Sequence, residues 1–178
     1  MNDRIALGPG REFDAIRAMV ERWGSRARGI GDDAAIITMP RGDALIASVD
    51  SSVEGRHFRR GWLSPREIGC RAVVAALSDL AAMAARPLGV LVALAVPVSW
   101  RSDLTAIADG IGNAVERART VILGGNLSDA GELSITTTVL GSAFAPLTRA
   151  GARVGDRVYV TGRLGGPGSV LEIGRAHV

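Results

Sequence analysis

Ser64-Pro65-Arg66-Glu67 opens, and Leu88-Gly89-Val90-Leu91-Val92-Ala93-Leu94-Ala95-Val96-Pro97 closes, the stretch whose reading decides the fold. The first four residues pair a capping box with a proline at the first helical position, so a long helix is predicted from Pro65 to about Ala85. The closing run is almost continuously apolar and stops at a proline, as expected of a strand covered on both faces. Upstream, Phe13, Ile16, Met19, Val20 and Trp23 recur at helical spacing within Glu12–Arg26, with Gly24 near the expected end. Arg28-Gly29-Ile30-Gly31-Asp32-Asp33 reads as a loop entering a strand at Ala34–Thr38, and Ala44–Val49 reads as a second short strand ending at Asp50.

Downstream, Ser102–Arg119 returns to helical periodicity. Val121–Leu123 runs into Gly124-Gly125-Asn126, and Glu132–Gly141 alternates as a Thr-rich strand. The order α, β, β, α, β, α, β, β predicts an α+β fold, with a mixed or antiparallel sheet and two long helices packed on one face. Residues 1–146 form the expected main domain. From Leu147 a new segment begins, with a turn and strand over Arg153–Gly162, and residues 147–171 read as the start of an incomplete second domain. Glu172–Val178 back-translates to the opening of a common sequencing-library adapter, so 172–178 reads as a non-native tail and His177 is given no role.

The 178 residues are 47% hydrophobic and 22% charged, enough to bury a sizeable core. Aromatic residues make up only 4%, leaving single-stranded nucleic acid few surfaces on which to stack. All 21 basic residues are Arg, and the net charge is only +3 despite a pI near 10.3. These arginines are scattered, so neither a nucleic acid nor an anionic membrane is an expected partner. Without Lys there is no Gly-x-x-x-x-Gly-Lys, which excludes P-loop chemistry. The single cysteine, Cys70, falls in an apolar helical run and reads as a buried structural thiol. With no signal peptide and no uninterrupted apolar span, a cytoplasmic location is expected.

Candidate chemistry lies in the carboxylates. Asp32, Asp33, Asp50 and Asp79, with the polar Asn126, are each presented by a turn, a strand end or a helix. Asp79 lies in Ala75-Ala76-Leu77-Ser78-Asp79-Leu80-Ala81-Ala82-Met83, where an unpaired charge among apolar neighbours would be costly unless a cation or donors met it. Oxygen ligands without a Cys/His cluster favour magnesium and phosphate over zinc. Neither a Gly-x-Ser-x-Gly elbow nor a complete nucleophile and base pair occurs, so no general base is expected and the catalytic residues stay unassigned.

Four ordered segments make the reading specific: Gly29-Ile30-Gly31-Asp32-Asp33-Ala34-Ala35; Ser48-Val49-Asp50-Ser51-Ser52-Val53-Glu54-Gly55-Arg56-His57-Phe58; Leu77-Ser78-Asp79-Leu80-Ala81-Ala82-Met83; and Gly124-Gly125-Asn126. Together with Leu147-Thr148-Arg149-Ala150-Gly151-Ala152 they resemble the motifs of the thiamine-monophosphate kinases, within the superfamily of aminoimidazole ribonucleotide synthetase-like N-terminal domains. The resemblance covers roughly residues 12–165. It implies ATP-dependent phosphorylation of thiamine monophosphate to thiamine diphosphate, with magnesium as cofactor and ATP as co-substrate. It further implies that Asp33, Ser48, Val49, Asp50, Asp79 and Asn126 sit around the metals, that His57 lines the thiamine phosphate pocket, and that Gly125, Asn126 and Arg149 face ATP. A homodimer, closed sheet against sheet, is also implied.

Two positions depart from the family pattern: the usual Gly-Gly-Asp is Gly124-Gly125-Asn126 here, and Val49 stands where a Thr is usual. Two other readings remain open at this point. One is another ATP-using member of the superfamily, selenophosphate synthetase-like or hydrogenase-maturation-like. The other is a non-catalytic dimeric nucleotide-binding relative.

Overall fold

A computed structural model describes residues 10–28, 30 and 34–159. The chain divides into two compact units, one ending at Thr148 and the other beginning at Arg149. In the second, the described residues 149–159 contain turns but no helix or strand, so Val158 and Tyr159 are not part of the strand expected there.

In the first unit, helix α1 (Arg11–Trp23) is followed by a 3₁₀ turn at Gly24–Arg26. Strand β1 spans Ala44–Val53, helix α2 Pro65–Ala82, strand β2 Arg86–Val96, helix α3 Leu104–Arg117, strand β3 Ile122–Asp129 and strand β4 Ser134–Ala143. The sheet is mixed, in the order β1-β4-β2-β3, with β2 and β3 parallel through the α3 crossover and the other pairs antiparallel. The α+β class with two long helices on one face is therefore observed.

The expected capping box starts α2: the Glu67 backbone N–H donates to Ser64 Oγ at 3.3 Å, and the Ser64 backbone N–H donates to Glu67 Oε2 at 2.8 Å. Its stripe of Ile68, Ala72, Val73, Ala76 and Leu80 is buried. The helix stops earlier than the apolar pattern predicts because Ala84 takes φ 53, and the Ala85 N–H turns back to the Leu80 carbonyl at 2.8 Å. That six-to-one closure satisfies the terminal carbonyl. Helix α3 ends in the same way, with Arg119 at φ 53 and the Thr120 N–H donating to the Val115 carbonyl at 3.1 Å. The two helices touch where they lack side chains: a Cβ at Gly69 would lie 2.2 Å from the Ile107 carbonyl oxygen, and one at Gly110 only 1.9 Å from that of Arg66. Cys70 is half-buried beside this contact and forms no disulfide.

The core fills the space between the helices and one sheet face, with Val90, Val92, Leu94 and Val96 of β2 and Ile135 and Val139 of β4 all buried. Trp23 closes one end, its Nε1 donating to the Ala108 carbonyl at 2.8 Å. The opposite sheet face is open. Leu45 and Val49 are 55% and 62% exposed there, and Ala93 is exposed in β2. Strand β2 is thus covered on one face of this chain, not on both as its apolar run predicts.

Three further elements differ from the sequence reading. Residues 34–38 form no strand, and Ile36 is 94% exposed: the run pairs with none of the four strands, and a strand without a partner edge leaves its backbone groups to water. Strand β1 continues past Asp50 to Val53, because Ser51 and Ser52 pair with Thr136 and Ile135 and the Ser51 and Thr136 hydroxyls meet at 2.8 Å. Strand β3 runs straight through Gly124-Gly125-Asn126, so these glycines are not a loop. At Gly125 a Cβ would stand 1.8 Å from the Val92 carbonyl oxygen, which makes it a site of close strand approach.

Candidate functional site

The site grows from the alternation of β1. Ser48 and Asp50 pair with Val139 and Thr137 of β4, both buried beneath the helices, so they share the helix-covered face of the sheet. Because β1 is an edge strand, that face is only partly roofed, and Asp50 is exposed. Helix α2 passes over it and brings Asp79, in its last turn, to the Ser48 hydroxyl, which donates to Asp79 Oδ2 at 2.5 Å. Two segments 31 residues apart thus meet at one point.

Asp79 is exposed. The sequence reading places it among apolar neighbours, and this is corrected: Ala76 and Leu80 turn into the core, while Ser78 and Asp79 face outward. Asp50 Oδ1 accepts the Ser51 N–H at 2.8 Å. Neither Asp50 nor Asp79 has an arginine partner among the described ion pairs. Beside them, Thr137 Oγ1 is buried without a hydrogen-bond partner.

His57 stands four residues beyond the end of β1, in an exposed turn that uses Gly55 at φ 77. Its Nδ1 accepts the Val53 N–H at 3.1 Å, and its backbone N–H donates to the Val53 carbonyl at 2.9 Å. Asp33 lies outside the described residues. Arg149 is exposed in the second unit.

The remaining expected site residues lie elsewhere on the sheet. Val49 points to the open face and has only backbone oxygen to offer. Asn126 pairs with Ala93, in the same cross-strand row as Thr136 and Ser51, and so belongs to the open face too, whereas Gly125 pairs with Val92. Strands β1 and β3 are the two edges. Three strand spacings put Asn126 about 14 Å from β1 and on the other side of the sheet.

The donor set of Ser48, Asp50 and Asp79 is all oxygen. No group of three or more His, Cys, Asp or Glu side chains gathers among the described residues. Two carboxylates and a hydroxyl suit magnesium, which keeps much of its coordination for water and substrate phosphates. A depression of about 620 Å³ shares no residue with this set: it lies between the ends of α1 and α3 and is lined by Arg22, Arg26, Arg28, Arg119 and Glu116. Arg26 there already binds Glu116 at 2.8 Å.

Residues 31–143 match the AIR synthase related protein, N-terminal domain. The chain belongs to this family. Within it, the chain is 36% identical to the thiamine-monophosphate kinase of Bacillus subtilis over 169 residues, which cover 91% of this chain and 52% of that protein. Among solved structures it resembles AaThiL complexed with AMPPCP and TMP, at TM-score 0.72 and 26% identity, over 97% of this chain and 56% of the other. The hydrogenase maturation protein HypE in complex with ATP shares the fold alone, at TM-score 0.60 and 21% identity over 75% of this chain and 41% of that one. The chain spans about half the length of the curated relatives it matches.

Sequence reasoning did not single out Trp100, whose Nε1 donates to Glu54 Oε2 at 2.8 Å, nor Thr137, which pairs with Asp50. Trp100 lies 43 residues from His57, and only the fold brings the two segments together.

Proposed function

We propose that the protein to which this chain belongs transfers the terminal phosphate of ATP to thiamine monophosphate, forming thiamine diphosphate. One observation carries the reading: the Ser48–Asp79 contact joins two of the ordered motifs into one all-oxygen site, in a chain that matches a kinase bound to an ATP analogue and TMP over nearly the whole length of this chain.

The chemistry agrees with the residues present. The acceptor is already a phosphate anion, so no proton has to be removed and no general base is needed. The obstacle is repulsion between two anions. Magnesium, when bound, supplies the positive charge that offsets it. In this reading Asp50 and Asp79 hold magnesium together with Asp33, the Ser48 hydroxyl fixes the Asp79 carboxylate, and Thr137 backs Asp50. His57 lines the thiamine phosphate pocket. Gly125, Asn126 and Arg149 serve the nucleotide. Asn126 and Val49, on the open face, contribute to metal binding only through ATP-bound magnesium or from an adjoining subunit.

The open sheet face, with Leu45 and Val49 exposed, supports a homodimer closed through that face. A cytoplasmic location fits this chemistry, and no helix among the described residues is long and apolar enough to cross a membrane. With scattered arginines and few aromatics, no nucleic-acid partner is proposed.

The test is a turnover assay on the protein extended to the length of its relatives, with the 178-residue chain beside it. Magnesium-dependent formation of thiamine diphosphate by the longer protein, with little or none by the shorter, is the expected result. Phosphate transfer to water or to another acceptor in preference to thiamine monophosphate would refute the assignment.

A further inference from the structure

We propose that Trp100 is a positioning residue for His57, acting through Glu54 and Arg60. The functional half of this proposal rests on the reading above that His57 meets the substrate phosphate.

The segment Glu54–Leu63 leaves β1 with most of its side chains exposed and with positive φ at Gly55 and Gly61, at 77° and 89°. Such a connection is ordinarily among the least stable parts of a fold. Here it is pinned from across the chain. Trp100, in the 3₁₀ turn Val98–Asp103, is 1% exposed, and its Nε1 donates to Glu54 Oε2 at 2.8 Å. The same carboxylate oxygen accepts the Leu133 N–H at 3.4 Å. Phe58, 3% exposed, meets the indole edge to face at 6.3 Å, and the Arg60 guanidinium stacks 4.1 Å from the indole centroid. Arg60 also donates to the Ser99 carbonyl at 2.9 Å and to the Asp103 carboxylate.

The indole therefore holds the segment three times, by its N–H, its edge and its face. His57 sits between two of the held residues, Glu54 and Phe58, whose backbones are joined by the Gly55 N–H donating to the Phe58 carbonyl at 2.8 Å. With Nδ1 occupied as an acceptor of the Val53 N–H, the ring proton belongs on Nε2. What this arrangement presents is an Nε2–H donor of fixed position, suited to a phosphate oxygen, whose ordering cost is met in folding and not on binding.

Trp100→Phe keeps an aromatic ring but removes the donor, and Arg60→Gln loosens the same turn from the surface. The chain has only two histidines, His57 and His177, so its imidazole ¹⁵N spectrum is simple. The wild type should show the Nε2–H tautomer at His57. Both variants should show tautomer averaging and at least tenfold faster exchange of the Gly55 amide, with the amides of α2 unchanged. Glu54→Gln, which still accepts from the indole, should behave as wild type, and Glu54→Leu should not. In the active protein, Trp100→Phe should raise KM for thiamine monophosphate roughly tenfold while leaving kcat and KM for ATP within about twofold.

Unchanged tautomer and exchange in both variants would overturn the positioning role. A loosened turn with unchanged KM for thiamine monophosphate would instead overturn the assignment of His57 to substrate, and with it the functional half of the proposal.

Discussion

Replacing Asp79 by Asn separates a binding role from a structural one. The residue lies in the last turn of α2, where a negative charge opposes the helix dipole by about 0.3–1 kcal/mol, so neutralising it should relieve that much. Against this stands the loss of the charge-assisted bond from Ser48, which at an exposed site is worth about 1 kcal/mol net. The two nearly cancel. The melting temperature of Asp79→Asn should then lie within about 2 °C of wild type, given roughly 2–4 °C per kcal/mol for a chain of this size. Metal affinity should behave differently. Taking water-like screening as the lower limit for an exposed carboxylate, a unit charge about 4 Å from a divalent cation contributes about 2 kcal/mol, a factor of about thirty. Magnesium titration of ATP-analogue binding, followed by calorimetry, together with thermal melts of both proteins, measures both quantities. Unchanged magnesium dependence with a fall in melting temperature of more than about 4 °C would refute the reasoning and make Asp79 a structural partner of Ser48.

Other outcomes follow from the same geometry. Asn126→Asp should leave nucleotide-free magnesium binding within about twofold of wild type, because about 14 Å across the sheet exceeds the Debye length at physiological salt; a tenfold shift in the titration would place Asn126 at the Asp50–Asp79 site. Gly125→Ala should destabilise by about 1–3 kcal/mol or more in denaturant titration, because its Cβ would strike the Val92 carbonyl, whereas Gly124→Ala, whose Cβ meets only Leu91 Cδ2 at 3.5 Å, should cost less than about 1 kcal/mol. Arg119→Gly, at a left-handed position, should stabilise by up to about 1 kcal/mol in the same measurement. Asp109 is held below the usual carboxylate range, first by its hydrogen bond from Arg22 and then by the Arg22 and Arg66 charges, against the opposing effect of its burial. Its stabilisation is therefore present above the unfolded carboxylate pKa and is lost as pH falls through the lower folded value, so unfolding titrations below about pH 4 should show a decline that Asp109→Asn flattens.

The legible parts of the fold were those written in local patterns. The capping box at Ser64 and Glu67 and the stripe from Ile68 to Leu80 fix α2 without reference to the rest of the chain. Its end was not legible, because Ala84 adopts a left-handed conformation that sequence rules assign to glycine or asparagine, and the compensating closure onto Leu80 is visible only in the backbone. Gly124-Gly125 misled for the opposite reason: glycine serves turns and close strand approaches alike, and only the proximity of Val92 decides between them. Ala34–Thr38 had strand composition, but composition does not supply a neighbouring edge.

Asp50 and Asp79 stood out in the sequence by their strand-end and helix positions, and Ser48 by the resemblance of its motif to that of the thiamine-monophosphate kinases; pleat and helix phase bring them to one face. The same parity removes Asn126 and Val49 from that face, and a motif cannot express this, since a one-residue step along a strand reverses the side on which a group acts. A metal site shared by all of these residues therefore needs something outside the single sheet: a bound nucleotide reaching past its edge, or a second subunit laid on the open face where Leu45 and Val49 are exposed. The two routes differ in their dependence on protein concentration. If the second subunit supplies the link, Val49→Asp, which plants a charge on the open face but leaves the Ser48–Asp79 contact intact, should shift the protein toward monomer in sedimentation and weaken nucleotide binding in parallel, while metal binding at Asp50 and Asp79 persists. If the nucleotide alone bridges the sheet, binding of ATP should be independent of the oligomeric state, and Val49→Asp should separate the two.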